Sequence, residues 1–112
     1  MQTNYFYPTN MRASNDAYAS TTEATIIDTS TQGYTSFNLT ATNYGSVTVS
    51  DINIYASADG FNYYSVQADA INTLAAGATK NYTFTHINRF IRVTAVSASS
   101  TAHISCTLIG VV

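Results

Sequence analysis

The sequence predicts an all-β domain, an antiparallel β-sandwich of jelly-roll-like type with about seven to nine short strands and an N-terminal arm. Two observations predict this fold. From Glu23 onward, short segments alternate apolar and polar side chains with a period of two. Turn signals separate these segments at intervals of roughly 8–12 residues. The best helical candidate, residues 68–78, is short and interrupted by Thr73 and Gly77, so it predicts one helical turn at most.

The arm comprises residues 1–21, and residues 22–112 form the predicted sandwich. The arm has no clean periodicity, and Pro8 ends the short strand-like run before it. Its side chains are too apolar for a typical disordered terminus, because it contains several aromatic rings. We therefore expect this arm to pack on its own domain or on a neighbouring subunit.

The strand pattern begins at Glu23 and continues to the end of the chain. A change of phase at Ser50–Asp51 moves the apolar positions to the opposite parity, which predicts a β-bulge or a bend. The predicted strand segments are EATIIDT at 23–29, SFNLTAT at 36–42, SVTV at 46–49, the run through Ile52, Ile54 and Ala56, YYSVQAD at 63–69, KNYTFTH at 80–86, FIRVTAV at 90–96 and HISCTLIGVV at 103–112.

The segment YASADGFNYYSVQ, residues 55–67, predicts a hairpin that turns at Asp59–Gly60, since Asp-Gly tolerates the positive φ of tight turns. Phe61 and Tyr63 have the parity opposite to Tyr64. Their rings are expected to stack across the hairpin or to cover one end of the core. A second role, gripping a ligand, is compatible with the same hairpin.

The composition excludes several function classes. Only 9% of the 112 residues are charged, against roughly 25% in an average domain. Ser, Thr and Asn supply roughly a third of the chain, which predicts a neutral polar surface. With four basic residues and a net charge of −2, the chain lacks the cations that nucleic-acid binding requires. No apolar run approaches the ~20 residues of a membrane span, and no leader pattern precedes the first strand.

No catalytic, cofactor or metal site is predicted, so we do not expect an enzyme. Cys106 alternates with Ile104 and Leu108 and is expected to be a small buried side chain. His86 and His103 lack a third metal ligand at useful spacing. Asp51 and Asp69 could meet across neighbouring strands and bind an ion, although no calcium-loop pattern is present.

Three stretches resemble small β-sandwich domains of phage virions. They are Ser57, Asp59, Gly60, Asn62 and Tyr63, followed by RFIRVTA at 89–95 and the closing segment SASSTAHISCTLIG at 97–110. The pattern looks like capsid decoration (cement) proteins and tail or fibre modules, and its end is similar to discoidin-like carbohydrate-binding sandwiches. The resemblance implies a structural, multimeric role and supplies no catalytic residue.

The sequence thus predicts a virion structural protein that stabilises a phage head lattice by contacts with the major capsid protein or another virion protein. We expect a homo-oligomer, a trimer or a dimer, located in the virion. The alternative is a tail, fibre or baseplate module that binds a host-surface glycan. Exposed tyrosines gathered beside Asn or Asp would favour glycan binding, whereas tyrosines spread over flat faces would favour protein contacts. The predicted interface residues are Tyr5, Phe6, Tyr7, Tyr18, Phe61, Tyr63 and Arg92.

Overall fold

A computed structural model describes residues 10–111, which form eight strands in two antiparallel four-stranded sheets. The strands are β1 (Asn10–Ala19), β2 (Ala24–Ser30), β3 (Ser36–Asn43), β4 (Val49–Ser57), β5 (Tyr64–Leu74), β6 (Thr79–Thr85), β7 (Phe90–Ser97) and β8 (Ala102–Val111). The predicted all-β antiparallel sandwich is confirmed. Residues 68–78 form the end of β5 and the following turn, not a helical turn. The described part of the chain holds no helix that could cross a membrane.

The strand order is β1-β8-β3-β6 in one sheet and β2-β7-β4-β5 in the other. The chain crosses between the sheets at most of its connections, an order that is consistent with a jelly roll. The loops at 31–35, 58–63 and 86–89 lie at one end of the sandwich, together with the start of β1 and the end of β8. The loops at 20–23, 44–48, 75–78 and 98–101 lie at the opposite end.

The core lies between the sheets and follows the alternation of the sequence. In β8, every second residue from Ala102 to Leu108 is buried, and Cys106 is among them as predicted. In β3, Phe37, Leu39 and Ala41 are buried in the same alternation. Burial raises the pKa of the Cys106 thiol to about 12.

The arm prediction needs correction for Asn10–Ala19. These residues form β1, which pairs with β8 along its whole length, from Asn10 opposite Val111 to Ala19 opposite Ala102. Met11 and Ala19 enter the core. Deletion of residues 1–21 would therefore remove an integral edge strand rather than a dispensable arm. Small and polar residues on β1 obscured its period, and residues 1–9 lie outside the described part of the chain.

Irregularities concentrate on β4 and β5. The register between β4 and β7 shifts between Val49 and Asp51, which confirms the bulge predicted from the change of phase. Between β4 and β5, the register shifts again after Ile52, and Asp69 takes a positive φ of 52° there. The Asp69 amide donates to the Asn53 side-chain oxygen at 2.9 Å, so the irregular segment is held to β4.

A buried asparagine fastens the end of the sandwich where β3, β5 and β6 meet. The Asn43 side chain is fully buried, and its Nδ2 donates to the carbonyls of Val47 at 2.7 Å and Leu74 at 3.0 Å. Its Oδ1 accepts the Gly45 amide at 2.9 Å. The main chain of Asn43 also bonds Gly77 and Ala78. The Asn43 side-chain amide thus bonds two backbone groups of the 44–48 loop and one at the end of β5.

Replacing the Asn43 side chain tests how much it contributes to stability. Asn43→Ala leaves buried carbonyls and an amide without partners, so we expect the free energy of unfolding to fall by about 2–3 kcal/mol. Asn81→Ala is the matched control, because Asn81 is exposed and bonds only the Thr40 hydroxyl among the described residues. Urea unfolding measures both; equal stability losses in the two variants would contradict the assigned role.

The buried Cys106 thiol should react slowly with labelling reagents. Because the raised pKa leaves little thiolate near pH 8, a thiol-labelling reagent should react with native Cys106 at least roughly a hundredfold more slowly than with the urea-unfolded chain. Labelling of the native protein at the unfolded rate would show that β8 opens readily from the sandwich.

Candidate functional site

The exposed apolar side chains of the described residues form two groups. Phe61, Tyr64, Ile87 and Val111 lie at the end that carries the loops 31–35, 58–63 and 86–89, and we call this group the apolar end. Phe61 is 87% exposed and Ile87 is 85% exposed. Tyr18 and Tyr44 are the other group, near the opposite end on the outer face of the β1-β8-β3-β6 sheet.

The loop that carries Phe61 is held by side-chain caps. Asp59 Oδ1 accepts the amides of Phe61 at 2.8 Å and Asn62 at 2.9 Å, and its Oδ2 accepts the Asn62 side-chain amide at 2.9 Å. These bonds hold the pKa of Asp59 well below its usual range, and the bond from the Asn62 backbone amide has the largest effect. Gly60 has a φ of +81° and faces the Phe90 ring, so the predicted Asp-Gly turn and hairpin are confirmed.

The loop that carries Ile87 is fastened on two sides. The Tyr64 hydroxyl contacts His86 Nε2 at 2.9 Å and accepts a hydrogen bond from the Asn88 side chain. Burial lowers the pKa of His86, which favours its neutral form. Thr31 reaches the same loop, because its hydroxyl donates to the Asn88 carbonyl at 3.0 Å. Ile87 therefore projects from a fixed support.

A hollow of about 280 Å³ lies beside Ile87 at the apolar end. Its lining includes Thr31, Gly33 and Arg89. Gln32 and Gly33 have φ angles of 56° and 84°, so a tight turn forms one wall. A partner surface could therefore bury Ile87 and insert a side chain of its own into the hollow beside it.

A polar groove of about 270 Å³ crosses the outer face of the β2-β7-β4-β5 sheet. At its centre, Glu23 Oε2 accepts hydrogen bonds from the Thr94 hydroxyl, from the Tyr55 hydroxyl at 2.8 Å and from Asn53 Nδ2 at 3.1 Å. These bonds, the one from Thr94 first, lower the pKa of Glu23. The hydrogen bond to Glu23 raises the pKa of Tyr55. The Glu23 carboxylate, just before β2, thus joins β4 and β7.

Arg92 and Tyr63 form the other wall of this groove. Arg92 Nε and Nη2 donate to Asp28 Oδ2 at 3.1 and 2.8 Å, and the Tyr63 hydroxyl donates to Asp28 Oδ1 at 3.0 Å. The guanidinium carbon lies 3.9 Å from the Tyr63 ring centre. The hydrogen bond to Asp28 raises the pKa of Arg92. Arg92, a predicted interface residue, therefore has its acidic partner within the same chain, directly opposite on β2.

Asp51 and Asp69 do meet, as the sequence suggested. The pKa of Asp51 is raised. The largest cause is a hydrogen bond with the Asp69 side chain, and burial and charge repulsion add to it. No group of three or more potential metal ligands occurs among residues 10–111. Ion binding by this pair stays a prediction.

Three rings form a cluster on the outer face of the other sheet, which we call the aromatic stack: Tyr18 stacks on His103, and Tyr44 is tilted against His103. The Tyr18 and His103 ring centres are 4.9 Å apart at an angle of 24°, and those of Tyr44 and His103 are 5.8 Å apart at 44°. His103 lies between the tyrosines because β8 lies between β1 and β3. Tyr18 and Tyr44 are 68% and 64% exposed.

The predicted interface residues do not form one surface. Phe61 is at the apolar end, Tyr63 and Arg92 line the polar groove, and Tyr18 belongs to the aromatic stack. Phe61 and Tyr63 neither stack across the hairpin nor cap the core, since one is exposed and the other lies under Arg92. The remaining predicted contacts, Tyr5, Phe6 and Tyr7, lie outside the described residues.

Sequence reasoning missed Ile87, Tyr64, Tyr44, His103 and Glu23. Two local signals were present: an isoleucine inside the polar loop HINR, and a tyrosine inside the turn NYG. A single exposed apolar side chain is ordinary, but a contiguous group of them marks a surface that binds something. The convergence on Glu23 had no local signal, because its partners lie on β4 and β7.

Solved structures of similar fold include two with TM-scores of 0.50 or above. No protein-family model and no curated protein sequence matches the chain. The SPBc2 prophage-derived protein YomS is similar, with a TM-score of 0.54 and 14% identity over 96% of this chain and all of that one. The subunit of the disulfide-linked pili of Bacillus endospore appendages has a TM-score of 0.50 and 17% identity over 92% of this chain and 87% of that one. A protein of infectious bursal disease virus, strain Gx, matches over 32% of its length with a TM-score of 0.47 and 12% identity.

The Asp59 cap predicts a pH dependence. Its pKa is lower in the folded chain than the value of about 4 expected after unfolding. The carboxylate therefore contributes stability above about pH 4, and this contribution is lost as the pH falls toward the folded pKa. Asp59→Asn should lower the melting temperature at pH 7, and the difference from wild type should shrink between pH 5 and pH 2. A difference that stays constant with pH would show that the charge contributes nothing.

Proposed function

We propose that this chain is a structural protein of a phage virion, of the capsid decoration (cement) type, and that it attaches to its lattice through the apolar end. The observation that carries the proposal is the gathering of Phe61, Tyr64, Ile87 and Val111 at one end of the sandwich. Apolar and aromatic side chains dominate the centres of protein interfaces. On a surface with so few charges, this end is the natural contact for another protein.

The support of these side chains favours the same use. The Asp59 cap and the hydrogen bonds of the 86–89 loop order the segments that carry Phe61 and Ile87 before any partner binds. Binding then costs less conformational entropy, because the loops are already ordered. Attachment at each lattice point can be modest, since a symmetric lattice offers many equivalent sites.

The structural comparisons support the structural role, not the decoration type in particular. YomS comes from a prophage, and the endospore appendage subunit forms pili. This chain covers all of YomS and 87% of the appendage subunit. The disulfide linkage of the pili is not proposed for this chain, because its single cysteine, Cys106, is buried in the core.

The proposed partner is the major capsid protein, and the location is the virion. We further propose that the chain acts as a dimer or trimer and has no catalytic role. Low net charge weakens self-repulsion, which favours association. Sedimentation analysis of the purified chain at high micromolar concentration tests this part; a monodisperse monomer would contradict self-association in solution but would leave attachment to a lattice open to the next experiment.

Removal of the projecting side chains should abolish attachment. The double variant Phe61→Ser, Ile87→Ser should bind at least about tenfold more weakly in co-sedimentation with particles grown without the protein, because buried apolar anchors carry most of the binding energy. Its melting temperature should stay near that of wild type, since both side chains are exposed.

The matched control is Tyr18→Ser, which removes an exposed ring at the opposite end. This variant should sediment with the particles as the wild type does. Loss of attachment in the control, with normal attachment of the double variant, would overturn the assignment of the apolar end. Failure of the wild-type protein to bind any particle component would overturn the virion role.

The alternative function, a tail or fibre module that binds a host-surface glycan, is favoured by a different observation. The aromatic stack gathers exposed tyrosines in one place beside Asp16, which is the arrangement that favours sugar over protein contacts.

A further inference from the structure

We infer that the aromatic stack is a binding site for a neutral saccharide. The site comprises Tyr18, His103 and Tyr44, together with the neighbouring row of polar side chains on the same sheet face. This inference deepens the alternative function and does not depend on attachment through the apolar end, because the two surfaces share no residue.

The two tyrosines of the aromatic stack have hydroxyls without a partner among the described residues. Among residues 10–111, neither the Tyr18 nor the Tyr44 hydroxyl makes a hydrogen bond. The hydroxyls of Tyr55, Tyr63 and Tyr64 are all engaged with side chains of the same chain. The polar groove therefore satisfies itself, whereas the aromatic stack keeps its donors and much of its ring surface available.

Cross-strand packing alone does not account for this exposure. An aromatic pair on a sheet face stabilises the pairing of its two strands only modestly, and Tyr18 with His103 has this geometry. His103 is covered on both sides, but each tyrosine keeps about two thirds of its surface exposed. Each tyrosine thus offers ring surface turned away from His103, to which the C–H face of a pyranose can stack.

Polar groups for sugar hydroxyls lie in the next row of the sheet. Two residues along the strands from the stack, the register aligns Asp16, Ser105, Thr42 and Thr79 across all four strands. Adjacent rows on one face are roughly 6.7 Å apart, about the width of one sugar ring. The Thr42 and Thr79 hydroxyls bond each other at 2.8 Å, which orders that end of the row.

The charge of the site selects a neutral ligand. Asp16 is the one formally charged side chain in the two rows, and its carboxylate accepts hydrogen bonds from hydroxyls but repels phosphate, sulfate and carboxylate groups. Arg12, on the same face, lies six residues along β1 from Tyr18 and four from Asp16, roughly 20 and 13 Å away. Stacking of nucleobases needs cations beside the rings for the backbone, and these rows have none.

The site is also held in place before binding. Tyr44 follows the buried Asn43, and its amide donates to the His103 carbonyl at 2.9 Å. Gly45 lies so close to β8 that a Cβ would come within 3.0 Å of the His103 nitrogen. The loop therefore fixes the Tyr44 ring against the sheet, which lowers the cost of ordering it around a sugar.

The experiment uses the full chain and a panel of soluble hexasaccharides: β-1,4-linked N-acetylglucosamine, β-1,4-linked glucose and α-1,4-linked glucose, with heparin oligosaccharide and oligo-dT as anionic probes. Amide chemical shifts are recorded during titration. We expect at least one neutral saccharide to bind saturably, with a dissociation constant of roughly 0.1–10 mM. The shifts should concentrate at Tyr18, Tyr44, His103 and Ser105.

Variants separate stacking from hydrogen bonding and from folding. Tyr18→Ala and Tyr44→Ala should each weaken binding at least about tenfold, because each removes a ring face. Tyr44→Phe keeps the ring and should weaken binding less than Tyr44→Ala, so it remains informative if the alanine variant folds poorly. The matched control, Tyr64→Ala at the apolar end, should bind as the wild type does.

Three results would overturn the inference. They are the absence of saturable binding by every neutral saccharide at about 20 mM, unchanged binding in both Tyr18→Ala and Tyr44→Ala, or preferential binding of an anionic probe at these residues. Chemical-shift changes at the stack on adding capsid protein, with none on adding saccharide, would instead assign the stack to protein contact. The particle-attachment test removes side chains of the apolar end and uses Tyr18→Ser only as its control, so either experiment can fail alone.

Discussion

Strand β8 imposes the constraint on which the rest of the structure depends. It lies between β1 and β3, and its alternate residues enter the core while the others face outward. The inner set, including Ile104, Cys106 and Leu108, has no exposure. A slip of one residue would turn this whole set to solvent, so the register is strongly fixed. The same register places His103 opposite Tyr18 and thereby builds the aromatic stack.

Side-chain hydrogen bonds to the backbone, rather than ion pairs, hold the loops of this protein. Ser57 and Asp59 cap the turn before Phe61, Thr31 ties two loops together, and Asn43 fastens the opposite end. One ion pair, Arg92 with Asp28, occurs among the described residues. Such an exposed pair contributes little to stability. The loops that carry the surface rings are therefore ordered by hydrogen bonds that salt screens weakly.

The two exposed groups differ in chemistry as well as position. Phe61 and Ile87 are apolar projections beside a hollow, which suits burial against a protein. Tyr18 and Tyr44 keep hydroxyls and ring faces beside a row of polar side chains, which suits a hydrated ligand. A sandwich with these groups at opposite ends can attach to a particle by one end while presenting the other outward. This arrangement reconciles the proposed attachment with the proposed saccharide site.

The sequence by itself determined the all-β class, the period-two core of β3 and β8, the bulge near Asp51 and the hairpin at Asp59–Gly60. Each of these depends on neighbours along the chain, through alternation or turn chemistry. It did not determine β1, because an edge strand of small and polar residues lacks the alternation of a buried strand.

Only the tertiary structure decided which surface residues meet. Tyr18, Tyr44 and His103 come from three different strands and connections, and Arg92 finds Asp28 sixty-four positions away in the chain. The interface residues predicted as one set were therefore divided among three surfaces. Side-chain parity shows that a residue faces outward, but strand order and register decide which residues lie beside it, and in this sandwich both are set by contacts between distant segments.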